Sequence, residues 1–130
     1  MSDYDVIATG LQFPEGPVVM PDGSIVLVEV KRGTISRIDP TDGSIDVVAR
    51  PGGGPNGAAV GPDGALYVCN NGGFTWGEAR GLTVPGLVPD DYSSGRIERI
   101  DIKTGKVEIL YAEVSGEPLK GPNDLMFDST

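Results

Sequence analysis

Two stretches of this chain repeat each other turn for turn, and that repeat limits the fold more than any other feature. Pro21-Asp22-Gly23 leads into the apolar run Ser24-Ile25-Val26-Leu27-Val28-Glu29-Val30, as Pro62-Asp63-Gly64 leads into Ala65-Leu66-Tyr67-Val68-Cys69. Gly33-Thr34-Ile35-Ser36-Arg37-Ile38-Asp39 matches Gly95-Arg96-Ile97-Glu98-Arg99-Ile100-Asp101. Asp42 through Val48 matches Thr104 through Leu110 in the same way. Eight residues separate Glu15 from Gly23 and Asn56 from Gly64; ten separate Gly33 from Gly43 and Gly95 from Gly105. In the Pro-Asp-Gly turns proline presets φ and glycine takes a positive φ, so neighbouring runs double back on each other.

The runs have the character of strands. Ser24–Val30 is β-branched and almost continuously apolar, which predicts a strand covered on both faces. Thr34–Ile38 alternates, which predicts a half-exposed strand. Ser44–Val48 is the fourth run, and Val6-Ile7-Ala8 is a candidate strand in the lead-in. The spacing from Glu15 to Asn56 is 41 residues, and from Asn56 to Asn123 it is 67. The excess of 26 divides into 21 residues between Gly64 and Gly95 and five before Asn123, both in loops, where a repeat absorbs insertions. A period near 40 with four strands per unit predicts an all-β fold, a β-propeller of four-stranded antiparallel blades. Blade 1 spans about 13–50, blade 2 about 54–113, and the start of blade 3 about 121–130, with Leu125-Met126-Phe127 as its opening strand. A closed ring takes about four to eight blades. The expectation is therefore a fragment of a longer protein, or else a partial ring that self-associates through open blade edges.

Composition excludes several functions. The 20 glycines and 11 prolines are dispersed between apolar runs, which places them in turns and not in a linker. A net charge of −9 repels phosphate backbones, so nucleic acid is not an expected partner. With no histidine there is no Ser-His-Asp triad and no His-based zinc site. Cys69 is the single cysteine and sits in a strand-like run, where a small buried hydrophobe is the expected role. No membrane span or signal peptide is visible, so the expected location is cytoplasmic.

Within the repeat, Pro14-Glu15-Gly16-Pro17, Gly54-Pro55-Asn56-Gly57 and Gly121-Pro122-Asn123-Asp124 occupy the same phase. In a radial repeat, equivalent positions face a common axis. Glu15, Asn56 and Asn123 would then present hard oxygens near the mouth of the channel, suited to Ca²⁺, Mg²⁺ or Mn²⁺. The alternative is that these tripeptides are only turns.

These motifs, with Gly61-Pro62-Asp63-Gly64 and in this order and spacing, resemble the SMP-30/gluconolactonase/LRE family from about Phe13 to Asp128. The resemblance implies a ring of about six blades around a divalent cation, Ca²⁺ first, with Mg²⁺, Mn²⁺ or Zn²⁺ as alternatives. It implies hydrolysis of small-molecule lactone esters. Glu15 matches the family's first metal ligand, Asn123 a residue that contacts substrate or water, and Asp124 follows it in the motif. Asn56 holds the corresponding point of blade 2, where family members vary. The family's later Asn ligand and its Asp acid/base have no counterpart among these 130 residues, which implies that this chain alone is inactive. Gly121 stands where some members carry an arginine. The loop from Asn70 to Ser94 suggests a lid or substrate wall built on Phe74, Trp76 and Tyr92, with an ordered loop packed on its own aromatics as the alternative. A propeller that only binds or scaffolds, without catalysis, is the rival function.

Overall fold

The computed structural model describes residues 3–129. Two four-stranded antiparallel meanders make up the body of the chain. In the first, β1 (Pro14–Val19), β2 (Ile25–Glu29), β3 (Thr34–Ile38) and β4 (Ile45–Ala49) pair in sequence order. In the second, β5 (Pro55–Val60) and β6 (Leu66–Asn70) pair in turn. The hairpin β7 (Trp76–Ala79) and β8 (Leu82–Pro85) intervenes before β9 (Arg96–Ile100) and β10 (Val107–Tyr111) complete the sheet in the order β5-β6-β9-β10. These are propeller blades, and no helix interrupts them among the described residues.

The repeated turns are the same structure twice. Gly23 N–H donates to Met20 C=O at 2.9 Å, and Gly64 N–H to Gly61 C=O at 2.9 Å. Gly43 N–H donates to Asp39 C=O, and Gly105 N–H to Asp101 C=O, each at 2.8 Å. The long insertion folds over the turn Arg80-Gly81, and the five extra residues near Asn123 fall where β11 (Glu113–Val114) and β12 (Glu117–Pro118) fold over Ser115-Gly116. Both central residues of each turn have positive φ, the mirror-image geometry that matches strand twist.

The core lies between the blades. Val26, Val28, Ile35 and Ala49 of blade 1 pack with Ala58, Leu66, Val68 and Ile100 of blade 2. Fully burying one such Val, Leu or Ile side chain contributes about 1.5–3 kcal/mol. The run Val26–Val30 is buried throughout, as a strand covered on both faces should be.

The alternation of Thr34–Ile38 gives a different result from the half-exposed strand it suggests: only Arg37 is partly open. Thr34 and Ser36 are buried because their hydroxyls serve a buried carboxylate. Ser36 Oγ donates to Glu29 Oε2 at 2.5 Å and Thr34 Oγ1 donates to it at 3.2 Å. Blade 2 exchanges the parts of this network. Asn70 stands at the β6 position that corresponds to Glu29, and the carboxylate, Glu98, stands on β9 where blade 1 has Ser36. Glu98 pairs with Arg96 and accepts from Asn70 Nδ2.

The lead-in Val6-Ile7-Ala8 is not a strand in the structure, but its placement is informative. A Cβ added at Gly43 would meet Ile7 C=O at 2.5 Å and Ala8 Cα at 4.0 Å. One added at Gly105 would meet Val48 C=O at 2.6 Å and Ala49 Cα at 4.0 Å. Residues 7–8 therefore lie against blade 1 as the outer strand of blade 1 lies against blade 2. Leu125-Met126-Phe127, expected as an opening strand, likewise forms no ladder. It is held instead by an edge-to-face contact of Phe127 on Tyr67, with ring centroids 5.0 Å apart.

Candidate functional site

The first strand of each blade carries a local irregularity at or just after the expected ligand position. In blade 1 the β1–β2 register shifts between Glu15 and Val18. In blade 2 Pro55 pairs with Asn70 and Gly57 with Cys69, leaving Asn56 between them without a ladder partner. A bulge of this kind turns a side chain out of the pleat. A glycine follows Glu15 and Asn56 alike, for a steric reason. A Cβ on Gly16, whose φ is +53°, would lie 2.8 Å from Ala58 N of blade 2. A Cβ on Gly57 would lie 2.5 Å from Asn123 C=O and 2.7 Å from Asp124 Cα. Gly16 lets the start of blade 2 close against it, and Gly57 does the same for the Asn123-Asp124 segment.

The result is one small polar cleft of about 90 Å³, lined by Glu15, Gly16, Asn56, Asn123 and Asp124. All four oxygen-bearing residues expected at this mouth are thus brought together. Asn56 Nδ2 donates to Asn123 Oδ1 at 2.5 Å. That bond leaves Asn56 Oδ1 as an acceptor and Asn123 Nδ2 as a donor for a ligand.

The segments that carry these residues are tied down from behind. Gln12 N–H donates to Glu29 Oε1 at 2.7 Å, three residues before Glu15. Gly54 N–H donates to Asn70 Oδ1 at 2.9 Å, two residues before Asn56. Asn70 Nδ2 also reaches Gly52 C=O at 2.8 Å. Glu29 and Asn70 thus do the same work in successive blades, fixing the chain as it approaches the cleft. The two buried carboxylates differ in ionisation. Burial pushes Glu29 up, but hydrogen bonds from Ser36, from Gln12 N–H and from Arg32 outweigh it and hold the group below the usual range. For Glu98 burial wins over Arg96 and Asn70, and its carboxyl is raised.

The donor set fits a hard divalent cation in kind. Glu15 and Asp124 offer carboxylates and Asn56 an amide oxygen, whereas the nitrogen and sulfur ligands favoured by zinc are not present. In number it is partial: among the described residues no group of three or more His, Cys, Asp or Glu is placed to hold a metal. Calcium takes about six to eight oxygens.

The loop aromatics are not part of the cleft lining. Phe74 and Trp76 meet edge to face at 6.1 Å, and Trp76 packs on Phe13 at 5.1 Å. Phe13, with φ of 58°, directly precedes Pro14-Glu15. Tyr92 covers Gly72, where an added Cβ would lie 2.5 Å from Tyr92 Cε2. Cys69 is buried; burial raises its thiol pKa and the charge of Asp124 raises it further, so it is no thiolate nucleophile.

A family model described as the SMP-30/gluconolactonase/LRE-like region matches residues 13–130. The chain belongs to that family. Among relatives of the SMP-30/gluconolactonase/LRE-like chain is a gluconolactonase of Zymomonas mobilis subsp. mobilis, 24% identical over 139 residues, covering 97% of this chain and 33% of that protein. The PQQ-bound form of aldose sugar dehydrogenase from Streptomyces coelicolor superposes with a TM-score of 0.53 at 25% identity, over 92% of this chain and 31% of that one. The chain therefore spans about a third of the length of these relatives. No helix among the described residues is long and apolar enough to cross a membrane.

Proposed function

We propose that this chain supplies the first blades of a divalent-cation-dependent lactone hydrolase of the gluconolactonase kind. The observation that carries the reading is the convergence of three successive repeat starts on one oxygen-lined cleft: Glu15, Asn56 and Asn123-Asp124. Family membership and the gluconolactonase relative support the choice of lactone as substrate class. The reaction adds water to the lactone carbonyl and opens the ring to a hydroxy acid. A hard cation, calcium foremost, would supply positive charge against the developing oxyanion. Glu15 would hold it, together with Asn56 Oδ1 and Asp124, which line the same cleft. Asn123 Nδ2 donates to substrate or water, its amide being fixed by Asn56. The proton-transferring group is assigned to none of these residues, and the 130-residue chain by itself is inactive on this reading.

The test joins these residues to the remaining blades of the ring and follows acid release from lactones in a pH-stat, with calcium added and then chelated. Calcium-dependent turnover that falls at least about 100-fold in Glu15→Gln is the expected result, on the scale of losing one group that stabilises developing charge. A folded, closed ring without turnover in any divalent ion would overturn the proposal in favour of a binding module.

A further inference from the structure

The molecule has a second, larger cleft at the opposite end of the blades from Glu15. Its volume is about 340 Å³, within the range of small-molecule sites. It opens between two complete blades, so it owes nothing to blades beyond this chain. Arg37 of β3 and Arg99 of β9 hold the same position in successive blades, and both line it together with Lys103. Three cationic side chains at one cleft stand out in a chain of net charge −9.

Asp63, Asp101 and Asp22 each have at least one carboxylate oxygen engaged. Asp63 Oδ2 takes Arg99 Nε at 2.9 Å, and its Oδ1 takes Ala65 N–H at 3.1 Å. Asp101 Oδ1 accepts from the N–H groups of Lys103 at 2.8 Å and Thr104 at 3.1 Å. Asp22, within electrostatic reach of Arg37, accepts from Ser24 N–H at 2.9 Å and Ser24 Oγ at 2.6 Å. Asp46 lies opposite Arg37 in the β3–β4 ladder but makes no ion pair with it. What remains is Arg37, whose Nε is buried with no hydrogen-bond partner. A buried guanidinium donor without an acceptor is costly, and among the described residues no hydrogen bond or ion pair engages the rest of this guanidinium, which lines the cleft. Met20, Ala65 and Ile102 give the cleft an apolar wall.

We infer that this inter-blade cleft binds a small organic oxyanion, its acidic group between Arg37 and Lys103 and its carbon skeleton against Met20 and Ile102. Planar carboxylate and tetrahedral phosphate both suit a guanidinium paired with an ammonium. The site is independent of the lactone reading.

The full chain is titrated with inorganic phosphate and, separately, with gluconate, at constant ionic strength set by chloride. The readout is the Arg37 Nε–H NMR signal together with calorimetry. Saturable binding that shifts this signal is expected, and it weakens about tenfold or more in Lys103→Gln, the scale of one charge-assisted hydrogen bond. Arg37→Lys keeps the charge and the fold but loses the forked donor, and weakens binding as well. Glu15→Gln leaves binding unchanged. Response to phosphate alone assigns a phosphate ester; response to gluconate alone assigns a carboxylate. The inference fails if neither probe moves the Arg37 signal. It also fails if Lys106→Gln, the same charge change just outside the cleft, weakens binding as much as Lys103→Gln does.

Discussion

Asn56 and Asn123 are 67 residues apart in the chain and joined side chain to side chain at 2.5 Å. The bond links the second blade to the segment of residues 121–124 at the cleft, and it decides which amide atoms point outward. In the assembled ring, Asn56→Ala is expected to lower kcat/KM about tenfold with little loss of fold, since one exposed hydrogen bond contributes roughly 1 kcal/mol. Lactone kinetics beside a denaturant titration check this. A midpoint shift as large as the rate effect would reduce Asn56 to a structural role.

The glycines after the bulges leave no room for a methyl group. Gly16→Ala and Gly57→Ala are each expected to destabilise by about 1–3 kcal/mol, the cost of forcing an extra methyl group into a packed contact. Gly77→Ala is the control, because an added Cβ there meets nothing within 4 Å and its φ is ordinary. Urea midpoints of the three variants would separate these cases.

Glu29 and Glu98 respond oppositely to pH. The folded pKa of Glu29 is depressed, so its contribution is present above the usual glutamate pKa and fades as pH falls toward the folded value. The folded pKa of Glu98 is raised, so its ionisation erodes stability as pH rises from the usual glutamate value through the folded one. Glu29→Gln should flatten the acid side of the stability–pH curve, and Glu98→Gln should remove the decline above it. Thermal melts from pH 3 to pH 7 (roughly the span between the reference carboxylate pKa values and neutrality) test both signs.

Trp76 ties the insertion to blade 1 through Phe13, two residues from Glu15. Trp76→Ala is expected to cost about 3 kcal/mol or less, this ring being only partly buried, and to speed hydrogen exchange across residues 74–85. In the assembled ring it should also raise the lactone KM; an unchanged KM would leave the loop a packing element and no substrate wall.

Much of this was legible in the sequence because turns announce themselves. Pro-Asp-Gly and the spacings between equivalent glycines placed two blades and their strand order. They also placed Glu15, Asn56 and Asn123 in one phase, hence at one cleft. Other features carried weaker signals. Arg80 and Ser115 adopt positive φ without being glycine, so neither insertion looked like a hairpin. Thr34 and Ser36 fall in a strand that reads as half-exposed, and nothing in the sequence ties Glu29 or Glu98 to a partner, because a polar residue in a strand gives no sign of what it meets. They are buried because hydroxyl, amide and guanidinium groups from neighbouring strands meet them. The carboxylate changes strands between blades, so the repeat itself conceals the equivalence.

The segment beside Gly43 did leave a trace. Asp5-Val6-Ile7-Ala8 stands 41 residues ahead of Asp46-Val47-Val48-Ala49, a full period, and repeats it with one conservative change. Its contact with the Asp39–Ser44 turn is the one that blade 1 later makes with blade 2. The repeating unit of the chain and the repeating unit of the fold are therefore out of phase: residues 5–8 are placed against blade 1 as a trailing edge. Deleting residues 3–8 would strip blade 1 of a flank that blade 2 keeps, so one of two like-built modules would lose stability from a cut that touches neither.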